Sequence, residues 1–122
     1  MKTAKVLIVD DSSNIRKLIK VVLKKDGYEF DEADSGTEAL AKIVLYEPDL
    51  VILDLVIPGV DGYGVCVNIK KGERPQTKVL VLTSESSQDA RDKAYEAGAD
   101  HFMTKPFEPE DLRLAARRLL GK

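Results

Sequence analysis

The sequence predicts an α/β chain built on a parallel β-sheet with helices on both faces. Three runs carry that expectation: KVLIVDD (Lys5 to Asp11), DLVILDL (Asp49 to Leu55) and KVLVLTS (Lys78 to Ser84). Each is β-branched and nearly continuous in apolar character, which is how a strand buried on both faces reads. Helical patterns separate them, and alternating strands and helices give a parallel sheet with right-handed crossovers.

The elements follow in order. After the first run, Ser12 or Ser13 can cap a helix from about Asn14 to Lys25, with Ile15, Leu18, Ile19, Val22 and Leu23 on one stripe. Gly27 stops it. A weaker strand spans Tyr28 to Ala33, and a second helix runs from about Thr37 to Tyr46, before Pro48, with Ala39, Leu40, Ile43 and Val44 apolar. The Asp49 run is the third strand. Pro58-Gly59 and Asp61-Gly62 then mark a turn, and a third helix from about Tyr63 to Lys71 places Val65, Cys66 and Ile69 on one face. The Lys78 run is the fourth strand, followed by a helix from about Ser87 to Ala97 that ends at Gly98. A fifth strand covers Asp100 to Met103. The last helix starts near Pro109, a good first-turn residue, with Glu108, Glu110 and Asp111 around its positive end. Leu112, Ala115, Ala116, Leu119 and Leu120 are its apolar positions.

The totals narrow the function. A chain of 122 residues with 43% hydrophobic residues is long enough for one core without staples, so residues 1–122 are expected to form one domain with no further domain present. A net charge of −2 gives no global attraction to nucleic acid or to acidic membranes. The single cysteine, Cys66, rules out an internal disulfide and suits a reducing compartment, and on the face of its helix it reads as core. No run approaches the roughly 20 apolar residues of a membrane-spanning helix. The expected location is the cytoplasm.

In an open parallel sheet, ligands bind outside the carboxyl ends of the strands. That rule gathers Asp10, Asp11, Asp54 and Thr83, with Lys105 just beyond the fifth strand at the same edge. Taken singly these residues are ordinary: Asp10-Asp11 before serine as a helix cap, Thr83 as a strand former, Lys105 as a solvated charge. Three carboxylates converging in a cleft without counter-charge are strongly unfavourable, and a hard divalent cation with oxygen ligands resolves the conflict. Zinc is disfavoured, because the one histidine and the one cysteine lie far apart in sequence. A lysine and a threonine beside such a metal suit the oxygens of a phosphoryl group, and a carboxylate can be its acceptor. Asp54 is the natural choice, since Asp10 and Asp11 are better placed as metal ligands.

Four motifs in order, VDDS (Val9 to Ser12), DLVIPGVDG (Asp54 to Gly62), VLTSE (Val81 to Glu85) and KPF (Lys105 to Phe107), resemble the receiver domain of two-component response regulators over nearly the whole chain. The resemblance implies a flavodoxin-like (βα)5 fold with strand order 2-1-3-4-5. It implies that Asp54 accepts a phosphoryl group from a histidine kinase or phosphorelay partner. Mg2+, for which Mn2+ can substitute, is then bound by Asp11 and Asp54, by the Val56 backbone carbonyl, and by Asp10 through the metal's water shell. By the same resemblance Lys105 and Thr83 contact the phosphoryl oxygens, and Phe102 is the aromatic that packs inward when the threonine moves. Val56 and Glu85 occupy positions that tune dephosphorylation, and Ile57 replaces the commoner methionine before Pro58. The expected role is a regulatory switch, not an enzyme beyond its own phosphorylation and slow autodephosphorylation. It would signal through protein contacts around helix 4, strand 5 and helix 5. A stand-alone, chemotaxis-like regulator is expected, or else a piece cut from a longer protein, as monomer or weak phosphorylation-dependent dimer, without direct nucleic-acid binding or membrane insertion.

Other functions fit less well. A flavin binder of this fold class needs a phosphate loop where Asp10 and Asp11 repel phosphate. A dedicated phosphohydrolase of the aspartyl-phosphate type needs a second acid two residues after the nucleophile, where Val56 stands. A module that only binds partners has no use for the five polar residues. His101, in a strand and beside Phe102, reads as surface or packing and not as a phosphodonor. Arg113, Arg117 and Arg118 read first as a solvated helical face.

Overall fold

A computed structural model describes residues 3–121, so Met1, Lys2 and Lys122, at the ends of the expected 1–122 domain, lie outside the described residues. The elements are β1 (Lys5–Val9), α1 (Ser13–Leu23), a 3-10 turn (Lys24–Asp26), β2 (Glu29–Ala33), α2 (Gly36–Tyr46) and β3 (Leu50–Leu53). They continue with α3 (Gly62–Lys71), β4 (Lys78–Thr83), α4 (Gln88–Glu96), β5 (His101–Thr104) and α5 (Pro109–Leu119). The strands form one parallel sheet in the order β2-β1-β3-β4-β5, as expected.

The continuous apolar runs are explained by burial on both faces. Val6, Ile8, Leu50, Ile52, Leu80 and Leu82 pack with Ile19, Val22 and Leu23 of α1 and Leu112, Ala115 and Ala116 of α5. The alternate residues Leu7, Val9, Val51, Leu53, Val79 and Val81 pack with Ala39, Val65, Cys66, Ile69, Ala90 and Ala94 of α2, α3 and α4. Two helices therefore cover one face and three the other.

Local chemistry ends each element. Ser12 caps α1, its Oγ accepting the Ile15 N–H at 3.3 Å, while Ser35, Asp61 and Ser87 cap α2, α3 and α4 in the same way. Gly27 closes the turn after α1 with φ of 76°, a left-handed conformation that glycine adopts without strain. Several element ends differ from the sequence reading by one or two residues, with β2 starting at Glu29 instead of Tyr28 and β3 confined to Leu50–Leu53, and two helix faces differ as well. The first helix ends at Leu23, and Lys24–Asp26 tighten into the 3-10 turn. The last strand spans His101–Thr104, and Asp100 just before it places its carboxylate on the Val79 N–H (2.8 Å) and Lys70 Nζ (2.9 Å). Leu18 is 45% exposed and Val44 75%, since each lies at the flank of its helix's buried arc. No helix among the described residues is long and apolar enough to cross a membrane.

Candidate functional site

Parallel strands deliver their carboxyl ends to one edge, and the register fixes how they line up. Val9 pairs with Leu53 and Leu53 with Val81, so Asp10 and Asp54 leave neighbouring strands at the same level. The Asp54 N–H donates to the Val9 carbonyl (3.0 Å) and the Asp10 N–H to the Ala33 carbonyl (3.1 Å), which continue the sheet by one residue on each strand. Both side chains are buried, Asp10 with 3% and Asp54 with 6% of its surface exposed, while Asp11 is exposed.

Oxygens of Asp10, Asp11 and Asp54 lie within 4.8 Å of one another. Lys105 enters from the far side of the sheet, its backbone N–H fixed on the Thr83 carbonyl at 2.8 Å. The Lys105–Pro106 peptide bond is cis. The ammonium bridges Asp10 Oδ2 (2.6 Å) and Asp54 Oδ2 (2.9 Å). Burial pulls the lysine pKa down, but hydrogen bonds to the two carboxylates and their negative charge outweigh it, so the net shift is upward and the group stays an ammonium. The other oxygens are held by backbone: Asp10 Oδ1 accepts the Ser12 N–H at 2.9 Å and Asp54 Oδ1 the Val56 N–H at 3.2 Å.

One ammonium among three carboxylates leaves a surplus of negative charge in a cleft of hard oxygen donors. That donor set fits Mg2+, which takes one or two carboxylates together with water and phosphate oxygens. Asp11 and Asp54 would hold it, with Asp10 beside them.

The remaining expected residues sit around this cluster in different ways. Thr83 is fully buried at the end of β4, and its Oγ1 accepts the Glu85 N–H at 3.3 Å. Glu85 itself is exposed. The Val56 side chain is 57% exposed and stands at the rim. Phe102 is buried in β5 beneath the Arg91 guanidinium, which lies 5.6 Å from its ring centroid and 5.9 Å from that of Tyr95. His101 is half-buried, and its pKa is lowered by burial and then by Arg118 and Arg91. Burial pushes the Cys66 thiol up to about 11, so it is an inert core group.

The sequence reading missed four supports of the site. The Ser12 and Val56 amides were legible as an Asx-type turn, in which an aspartate side chain takes the N–H two residues on. Arg16 left no such signal. Its Nη1 donates to the Asp10 carbonyl at 2.7 Å, a contact that requires the first turn of α1 to fold back over the end of β1. Gly62 is also dictated by the site: a Cβ there would lie 2.6 Å from the Asp54 carbonyl oxygen and from Leu55 Cα.

Comparison with known proteins gives a consistent result. The family profile described as the response regulator receiver domain matches residues 6–117. The transcriptional regulatory protein ResD of Bacillus subtilis is 40% identical over 118 residues, covering 97% of this chain and 48% of ResD. The DNA-binding dual master transcriptional regulator RpaA of Synechocystis is 36% identical over 119 residues, 97% of this chain and 49% of RpaA. This chain thus spans about half the length of these relatives. Among solved structures, a putative response regulator from Chloroflexus aurantiacus superimposes with a TM-score of 0.93 at 35% identity, covering 99% of this chain and all of that one. Chemotaxis protein CheY4 of Vibrio cholerae gives 0.88 at 34% identity, with 97% and 99% covered.

Proposed function

Because this chain belongs to the response regulator receiver domain family, we propose that it is a phosphorylation-dependent switch that accepts a phosphoryl group on Asp54. The observation that carries this reading is the Lys105 ammonium held between Asp10 and Asp54, with Asp11 at the mouth of the same cluster.

The donor in this reading is a phosphohistidine on a kinase or phosphotransfer protein. An Asp54 carboxylate oxygen attacks the phosphorus, a P–O bond forms as the P–N bond breaks, and the departing imidazole takes its proton from solvent. The Val56 N–H and Lys105 hold Asp54 through both of its oxygens, so the attacking group meets the donor already oriented. Lys105 offers its ammonium to the arriving phosphoryl oxygens. Asp11, Asp54 and the Val56 carbonyl, with Asp10 assisting, would hold Mg2+, which would supply charge neutralisation of those oxygens.

The product carries roughly two negative charges and new acceptor oxygens beside Thr83. Thr83 turns its hydroxyl from the Glu85 amide toward them, and Phe102, already buried, is held inward on the signalling face of α4, β5 and α5. Val56 and Glu85, at the rim, tune how long the phosphate survives. The output is a contact with a downstream protein target, made by a monomer or a weak phosphorylation-dependent dimer. The domain itself makes no contact with nucleic acid.

The test is labelling with a 32P phosphodonor in Mg2+, using a small acyl phosphate or a phosphorylated kinase. Wild-type protein should gain one hydroxylamine-labile phosphate, and Asp54→Ala none. Equal labelling of Asp54→Ala would overturn the assignment.

A further inference from the structure

Asp10 is anchored by every polar group it has. Its N–H donates to Ala33, Oδ1 accepts from Ser12, Oδ2 accepts from Lys105, and its carbonyl accepts Arg16 Nη1 at 2.7 Å. Among the described residues, the Arg16 contact is the hydrogen bond that holds the peptide plane joining Asp10 to Asp11. A peptide unit is rigid, so holding its carbonyl also fixes where the Asp11 Cα lies and where the Asp11 carboxylate starts. Asp11 is exposed at the mouth of the cluster and lacks the packing that orients its neighbours.

Arg16 is in turn aimed by a second residue. Its Nε donates to Glu32 Oε1 at 2.8 Å, and the other oxygen of Glu32 accepts Lys20 Nζ at 2.5 Å. The Glu32 carboxyl pKa is lowered, first by the Lys20 hydrogen bond and then by that of Arg16, so Glu32 is a carboxylate at neutral pH. The Arg16 side chain is only 16% exposed. Its planar fork spans two acceptors, the Asp10 carbonyl just past β1 and Glu32 on β2, a geometry that a single ammonium does not reproduce.

We propose that Arg16, oriented by Glu32, is a positioning residue for the cation site, acting through the Asp10 carbonyl to place the Asp11 carboxylate. This rests on the Mg2+ reading given above. The proposal makes a prediction opposite to that of simple electrostatics. Removing a positive charge near a cation site strengthens cation binding by Coulomb attraction, whereas losing a positioning group weakens it.

Mg2+ is titrated into 15N-labelled protein, and its Kd is read from the amide shifts of Asp11 and Val56. Thermal midpoints are measured on the same samples. Arg16→Gln is expected to raise the Mg2+ Kd at least fivefold, and Arg16→Lys to restore only part of the loss. Glu32→Gln, which keeps the Arg16 side chain but removes the carboxylate that aims it, is expected to raise Kd about threefold and to add nothing in the Arg16→Gln background. A Kd in Arg16→Gln equal to or tighter than wild type, even with a lowered thermal midpoint, leaves Arg16 a purely structural residue and overturns the proposal. Absence of Mg2+ binding by the wild-type protein overturns the cation site itself and this inference with it.

Discussion

The Lys105 ammonium holds together two carboxylates that are otherwise buried with like charge, Asp10 and Asp54, whose side chains are 4% and 7% exposed. A buried pair contributes little beyond an apolar substitute, but removing one partner strands the others. Lys105→Met should therefore lose about 3 kcal/mol of unfolding free energy at neutral pH in chelator-treated buffer, read from urea denaturation. A loss under about 0.5 kcal/mol would mean that solvent already screens the carboxylates. This residue also shows what was legible. Asp10, Asp11, Asp54, Thr83 and Lys105 were readable because each stands at the end of an apolar run, and strand ends share an edge. Arg16 was not, because its partner is a backbone carbonyl, which leaves no residue-type signature.

At the scale of elements, β5 is an edge strand whose one histidine lies against two flanking helices, with Arg91 on α4 and Arg118 on α5 as the cations that lower its pKa after burial. The folded pKa lies below the ordinary 6.5, so in the window just under 6.5 the unfolded chain binds the proton first. Stability then falls as pH drops. The denaturation midpoint should decline between pH 7.5 and pH 5.5, and His101→Gln should flatten that decline; an unchanged slope would assign it to other groups. Glu32, also lowered, begins to lose its contribution only below about 4.5, outside that window. The central strands β1, β3 and β4 were legible because burial on both faces forces continuous apolar sequence. β2 was faint for the opposite reason. Its Asp31 and Glu32 face charged partners, Lys42 on one side and Arg16 with Lys20 on the other, so its sequence carries the polarity of an edge. Helix faces were overread at Leu18 and Val44, since periodicity marks a stripe without stating how wide an arc the sheet covers.

For the whole molecule, the site couples distant parts of the chain: Lys105 and Asp10 are 95 residues apart in sequence, and Asp54 follows the end of a third strand, β3. That geometry exists only in the folded state, so a cation bound there stabilises the entire domain by mass action. At Mg2+ tenfold above its Kd the gain is about 1.4 kcal/mol, or roughly 5 °C in thermal midpoint for a domain of this size. Asp11→Asn separates this effect from general salt screening. Asp11 is exposed and carries no packing load, so the variant should fold, and losing one of three converging charges should make it more stable than wild type without the metal. The same loss should remove most of the Mg2+-dependent gain. Calorimetry of both proteins in MgCl2, and in NaCl matched for ionic strength, reads the two opposed shifts directly. If NaCl raises the wild-type midpoint as far as MgCl2 does, the carboxylate surplus is relieved by screening, and the cluster is not a specific cation site.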